Sequence, residues 1–409
     1  MWSRFGSYFD NLPEDQVDRV LRFAKQKLLD GKEFLEMEDS LGSLACLATR
    51  LGLEFNEDED SCNAAYKQVE RHMRICISTT TGFTKMVTCS ASEPLLAEAA
   101  FRLLSDSPVN PVKRLANHAN LYCVDLGRRG ELVAALIIMQ ARDASLPRNE
   151  FDRRWVPVVD FFQALLPPEA SQSFLDSLPI RRRKGEENMP LRQRFADCRL
   201  WFNHVIMVED SEVIRPEFLW KYITRGAMIV CKVNQEGIDL ILPVSTSLDE
   251  PLSRHTVTAI TVQVKNSATY GLHPNKKLFD AMDPSQLGLL SDSPQPIIRM
   301  VFALGSSEAG VSFPPRHSTT HATSHSDNFT SYDIWCAGLS TNSFHQIGPD
   351  LDSYRKLLDR SQYDPFDVPL AESLDWLSED TRTVVERIRH RMAPLDRSSG
   401  HDEIYQRSE

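Results

Sequence analysis

Asp239, Gln263 and Lys265 bring an acid, an amide and an ammonium group to neighbouring apolar runs of the chain. Asp239 stands in IDLILPV (238–244), directly after the turn-forming NQEG (234–237). Gln263 and Lys265 close the run TVTAITVQVK (256–265), two residues apart. In a strand, residues i and i+2 emerge on one face. Gln263 and Lys265 would then share a side, next to Asp239 if the two strands pair. A hard cation such as Mg²⁺ takes oxygen ligands. The Asp239 carboxylate, the Gln263 amide oxygen and the main-chain carbonyl of Val264 would be the protein's share. Lys265 would orient or help deprotonate an attacking water and offset phosphate charge. Glu217, in the first turn of a preceding helix, would reach the cation through water. This is the chemistry of a metal-dependent phosphodiesterase.

The elements that must position these groups follow from the pattern. A helix is expected from Pro216 to Arg225, because proline suits its first position and Gly226 the position after its end. AMIVCKV (227–233), IDLILPV and TVTAITVQVK then read as strands. A helix containing LFDAMDPSQLG (278–288) and a strand PIIRMVFALG (296–305) follow. The order is αβββαβ. Residues 306–331, rich in Ser, Thr and His, read as a long loop, and YDIWCAGLS (332–340) as a last strand.

GID followed by QVKN resembles the GxD…(E/Q)xK signature of the PD-(D/E)XK nuclease superfamily. The layout is closest to its Holliday-junction-resolvase-like branch, in which a helix bearing Glu ends at Gly before the first strand. Glu217 through Gly226 fits that layout. The resemblance implies an α/β fold with a restriction-endonuclease-like core, a Mg²⁺ cofactor and a nucleic-acid substrate. Gln263 stands where the usual glutamate would, which removes one charge from the site and lowers its affinity for a cation. The words WFNHVI (201–206), RGAMIVC (225–231), NQEGIDLILP (234–243), QVKN (263–266), FDAMDPSQLG (279–288), RMVFALG (299–305) and YDIWCAGLS also resemble an uncharacterised family of mushroom-forming fungi. That family implies no activity.

Around this core, residues 1–166 read as a mainly helical domain. A stripe of Val17, Val20, Leu21, Ala24 and Leu28 follows Pro13, and further helices are expected over Glu93–Leu104, Glu131–Arg142 and Pro157–Leu166. Residues 167–196, with Pro167, Pro168 and Pro179 and then Arg181, Arg182, Arg183 and Lys184, read as a basic linker. The core domain spans 197–360, with a helix over LDSYRKLLD (351–359). A further helix over 380–392 and a disordered tail are expected in 361–409.

Composition narrows the class. Apolar residues make up 42 % and charged residues 25 % of the 409, as in folded globular proteins. The net charge of −11 argues against a DNA-coating protein, yet leaves room for a local basic groove. Eight cysteines form no CxxC pair and no zinc-finger spacing, which suits reduced thiols in the cytoplasm or nucleus. No run approaches the roughly 20 apolar residues of a membrane helix, and no secretory signal opens the chain. The expectation is an intracellular protein without membrane attachment.

Several other groupings read as structural. TTTGFTK (79–85) lacks the spacing of a phosphate loop. His317, His321 and His325, with Asp327, would line one helical face and hold zinc, but helix-breaking neighbours favour a polar loop. Cys336 and His345 read as a buried thiol and an unrelated imidazole. Asp280 and Asp283 read as caps or turn residues. Trp201, Trp220 and Trp335 read as core. The expected function is a metal-dependent nuclease. The alternative is a non-catalytic module that keeps the fold to bind nucleic acid or protein, with the helical N-terminal region as the protein-binding surface. A third reading is a regulatory or effector-like protein of mobile-element origin.

Overall fold

Apolar residues at a helical period fold the first part of the chain into α1 (Glu14–Leu28), α2 (Ser40–Leu51) and α3 (Glu59–Arg71). The computed structural model describes residues 14–36, 40–55, 59–80, 86–117, 126–146, 155–232, 235–247, 249–291, 294–315 and 328–359. Val17, Leu21, Ala24 and Leu28 of α1 are buried, as their stripe requires. A hairpin of β1 (Ile75–Thr79) and β2 (Met86–Cys89) lies within the region expected to be mainly helical. It precedes α4 (Pro94–Ser105), α5 (Pro111–Asn117), α6 (Leu126–Ala144), β3 (Val156–Pro157) and α7 (Val158–Leu165).

Residues 167–196 do not form a linker, and this corrects the sequence expectation. Pro168 opens α8 (Pro168–Leu175), and Pro190 precedes α9 (Leu191–Arg194). Folding brings distant acids to Arg181, while Arg183 and Arg194 share a glutamate of their own segment. Arg181 pairs with Asp280 and Asp283 at 3.6 and 3.4 Å, while Arg183 and Arg194 meet Glu186 at 3.5 and 2.7 Å. Ile180 donates its N–H to the Ser331 carbonyl at 2.9 Å. Met1–Leu358 accordingly forms one compact unit, with no division near 166 or 196. The helix expected over 380–392, like His317, His321, His325 and Asp327, lies outside the described residues.

The remaining elements are β4 (Arg199–Leu200), β5 (His204–Met207), α10 (Pro216–Thr224), β6 (Ala227–Val230), β7 (Leu240–Ser245), β8 (Val257–Lys265), α11 (Lys276–Ala281), β9 (Ile297–Ala303), β10 (Gly310–Ser312), β11 (Ser331–Ala337) and α12 (Leu351–Leu358). The expected α/β class is borne out. The strand β10 falls inside the stretch read as a loop. Among the described residues nine strands form a mixed sheet in the order β10–β11–β9–β8–β7. β7 is antiparallel to β6 and to β8, whereas β8, β9 and β11 run parallel. The far edge of β7 forks. Leu240 and Ile241 pair with β6, which carries β5, and Val244 and Ser245 pair with β4, which carries β3. Pro243 sits at the fork, where its lack of an N–H leaves no donor unsatisfied.

Alternate residues of the central strands feed two cores. Leu240, Leu242, Ile260, Val262, Val264, Ile298, Met300 and Phe302 pack with α6 and α7. Ile241, Val257, Ala259 and Val301 pack on the other side with Leu219 and Ile223 of α10 and Phe279 of α11. Arg299 and Asp333, neighbours on β9 and β11, lie inside this second core, 1 and 3 % exposed. Arg299 Nε donates to Asp333 Oδ1 at 2.8 Å, Nη2 to Oδ2, and Nη1 to the Phe279 carbonyl at 2.6 Å. The pair is therefore neutralised and bonded to α11. Arg299→Met would leave the Asp333 carboxylate buried and alone, and should destabilise the protein by about 3–5 kcal/mol, read as a fall in the urea midpoint. An unchanged midpoint would show that the pair is dispensable.

Candidate functional site

Asp239 is fixed by main-chain bonds to strands on both sides. Its N–H donates to the Val262 carbonyl at 2.9 Å, and its carbonyl accepts from Cys231 N–H at 2.8 Å. Leu240 is already the partner of Val262 across the ladder, so two residues here face one of β8, as in a β-bulge. The carboxylate extends the ladder in place of a main-chain carbonyl: Oδ2 accepts the Val264 N–H at 2.5 Å. The preceding turn is tight. Gly237 has φ +86° and lies against the Ala281 carbonyl of α11, so that a side chain there would overlap it.

Gln263 and Lys265 flank Val264 on β8 and share the face of Val257 and Ala259. Lys265 is half-buried. Gln263 is 5 % exposed, and its amide oxygen is buried with no hydrogen-bond partner. Such an orphaned acceptor destabilises a fold by about 1–3 kcal/mol unless something satisfies it. Burial raises the Asp239 carboxyl above its ordinary range, opposed by the Val264 N–H and by the Lys265 ammonium. Burial likewise pushes the Cys231 thiol up, and the Asp239 and Glu131 carboxylates push it the same way. Glu131 belongs to α6, whose Gly130 lies close enough to β8 that a side chain there would meet Val264 Cγ1 at 3.1 Å. Glu131 is thus an acid near this end of the sheet that sequence spacing did not single out, since nothing local links it to residues 239–265.

The structure brings Asp239, Gln263, Val264 and Lys265 to one end of β8. It does not bring Glu217 there. Glu217 is exposed, and its neighbours Pro216 and Leu219 line a small pocket with Val257, Thr258 and Ala259. Four residues, or about 13 Å of strand, separate Ala259 from Gln263. The reason is the course of α10, whose first turn meets the opposite end of β8. A cleft of about 250 Å³ lined by Arg194, Glu250, His255 and Gln295, among others, is also remote from Asp239, Gln263 and Lys265. Among the described residues no three His, Cys, Asp or Glu side chains group to hold a metal. A cation here would rest on the Asp239 carboxylate, the Gln263 amide oxygen and the Val264 carbonyl, and the unpartnered Gln263 oxygen fits that use.

The other groupings are structural. Asp280 and Asp283 pair with Arg181, Cys336 is fully buried, and the Trp335 Nε1–H donates to the Gly271 carbonyl at 3.0 Å in the second core. No helix among the described residues is long and apolar enough to cross a membrane.

The protein is thus a mixed α/β fold with a polar cluster at one end of its central strand. Residues 32–284, well over half of the chain, match the family described as a domain of unknown function, DUF8736, and the chain belongs to that family. The matched region contains Asp239, Gln263, Val264 and Lys265. No curated protein and no solved structure matches the chain.

Asp239→Asn should raise stability at pH 7 by about 0.5–2 kcal/mol, because the amide oxygen can still accept from Val264 without a buried charge. The sign follows from the raised carboxyl. Its burden is absent below the ordinary carboxylate range, where the group is neutral folded and unfolded, and grows as pH rises through the folded value. Urea melts at pH 7 and pH 3 should show the difference shrinking at the lower pH.

Proposed function

We propose that the protein is a divalent-metal-dependent phosphodiesterase of the nuclease class, acting on DNA or RNA with Mg²⁺ as its cofactor. The observation that carries this reading is the orphaned Gln263 oxygen, on the same end of β8 as Lys265 and the Val264 N–H that holds the Asp239 carboxylate. The order α10, β6, β7, β8, α11, β9, with two antiparallel pairings and then a parallel one, supports a restriction-endonuclease-like core.

Asp239 supplies negative charge at a point fixed by bonds to Cys231, Val262 and Val264. Gln263 adds a neutral oxygen, and the Val264 carbonyl adds another. The cation would polarise a phosphoryl oxygen and neutralise developing charge. Lys265, half-buried beside the acid, orients the attacking water and offsets negative charge on the phosphate. Gln263 lowers the charge of the site relative to a glutamate, and this makes the activity weak. The position of Glu217 takes it out of the set.

Purified full-length protein should nick plasmid DNA or cleave RNA with Mg²⁺ or Mn²⁺ and not with EDTA. Lys265→Ala and Asp239→Ala should each lower the rate by about 100-fold or more. Gln263→Glu should raise cation affinity and the rate at low Mg²⁺. Absence of cleavage by both the natural chain and Gln263→Glu would overturn the reading.

A second reading, a non-catalytic interaction module, has its own support. Among the described residues the exposed large apolar side chains, Phe23, Phe34, Tyr66, Met73, Ile75, Ile77 and Val87, lie in the N-terminal region. Salt-sensitive nucleic-acid binding without cleavage, or protein binding lost on substitution of these residues, would favour it.

A further inference from the structure

A second group of side chains has the order of a nucleophile and its base. Ser92 lies in the turn between β2 and α4 and is half-buried. Its Oγ is 3.0 Å from Nε2 of His204, the first residue of β5. Nδ1 of the same ring is 2.9 Å from Oδ1 of Asn203. The proton positions follow from the far end of this series. Asn203 Nδ2 donates to the Pro94 carbonyl at 2.9 Å and toward Glu98 Oε2 at 3.4 Å. Oδ1 is therefore an acceptor, and the imidazole carries its hydrogen on Nδ1. That turns the Nε2 lone pair to the Ser92 hydroxyl, which donates.

Burial, then Arg225 and Arg50, bring the His204 pKa down to about 3. The ring is neutral at physiological pH, and its lone pair stays available. Arg225 Nη2 donates to the Ser92 main-chain carbonyl at 3.0 Å, and its charge acts on the His204 ring. The same bonds tie the start of α4 to β5.

We propose that Ser92 is an activated nucleophile for an activated acyl ester, with His204 as its base and Asn203 as a positioning residue. The Ser92 Oγ–carbon bond forms as the hydroxyl proton passes to His204 Nε2. The ester C–O bond then breaks, and the proton moves from His204 to the departing oxygen. Arg225 faces the charge on the attacked carbonyl oxygen. Water deacylates the serine by the same proton path. The imidazolium formed in each step lies against Arg225 and Arg50, with a neutral amide behind it. The site therefore suits slow capture of a reactive ester rather than fast turnover.

The test is intact-mass spectrometry of the full-length protein after incubation with a fluorophosphonate probe, in which an Oγ–P bond forms and fluoride leaves. One adduct per chain is expected, mapped to Ser92 and absent in Ser92→Ala. His204→Gln should label about 100-fold more slowly or worse. If that variant fails to fold, Ser92→Ala, which removes only the hydroxyl, localises the reaction. A folded natural chain that takes no adduct, an adduct on another residue, or an unchanged rate in folded His204→Gln would overturn the proposal.

Discussion

Both faces of the central sheet are covered, and every polar group on its middle strands must be answered within the protein. β8 shows how this is met. Thr258 donates to the Pro296 carbonyl at 2.6 Å and Thr261 to the Ile298 carbonyl at 3.4 Å. On β9 and β11 the same demand is met by the Arg299–Asp333 pair and its bond to α11. Against that background the Gln263 oxygen stands out, because it alone on β8 appears among the buried side-chain atoms without a partner. Ser331 Oγ, at the start of β11, is the other buried side-chain atom of the described sheet strands without a partner.

The same constraint shapes Asp239. A carboxylate at the end of a ladder is stabilised by the N–H it accepts, and opposed by desolvation. Here desolvation wins, so the acid is held in a state that a cation would relieve. Gly237 secures the geometry, since only a residue without a side chain can pass α11 so closely.

Much of this was legible in the chain. Strands 227–230, 240–245 and 257–265 appeared because their apolar and β-branched runs are bounded by turns, and the helix at Pro216 because proline and Gly226 mark its ends. Gln263 and Lys265 were placed together by period-two spacing alone. Glu217 was misplaced because helical spacing fixes a residue's neighbours within the helix, but not the angle at which the helix crosses the sheet. Residues 167–196 read as a linker because the acids that hold Arg181, Asp280 and Asp283, are about a hundred positions away in sequence. The two-residue strands β3 and β4 are too short to leave a period, and the His204 network joins residues that no local pattern connects.

The fork at Pro243 has a consequence for how this architecture can diversify. One half of the far edge of β7 holds β6 and β5, close to Asp239, and the other holds β4 and β3. Since no ladder bond crosses from one half to the other at the proline, each can lengthen, shorten or change partners without shifting the other's register. Relatives could therefore remodel the periphery around β3 and β4 while the acid and its neighbours keep their places.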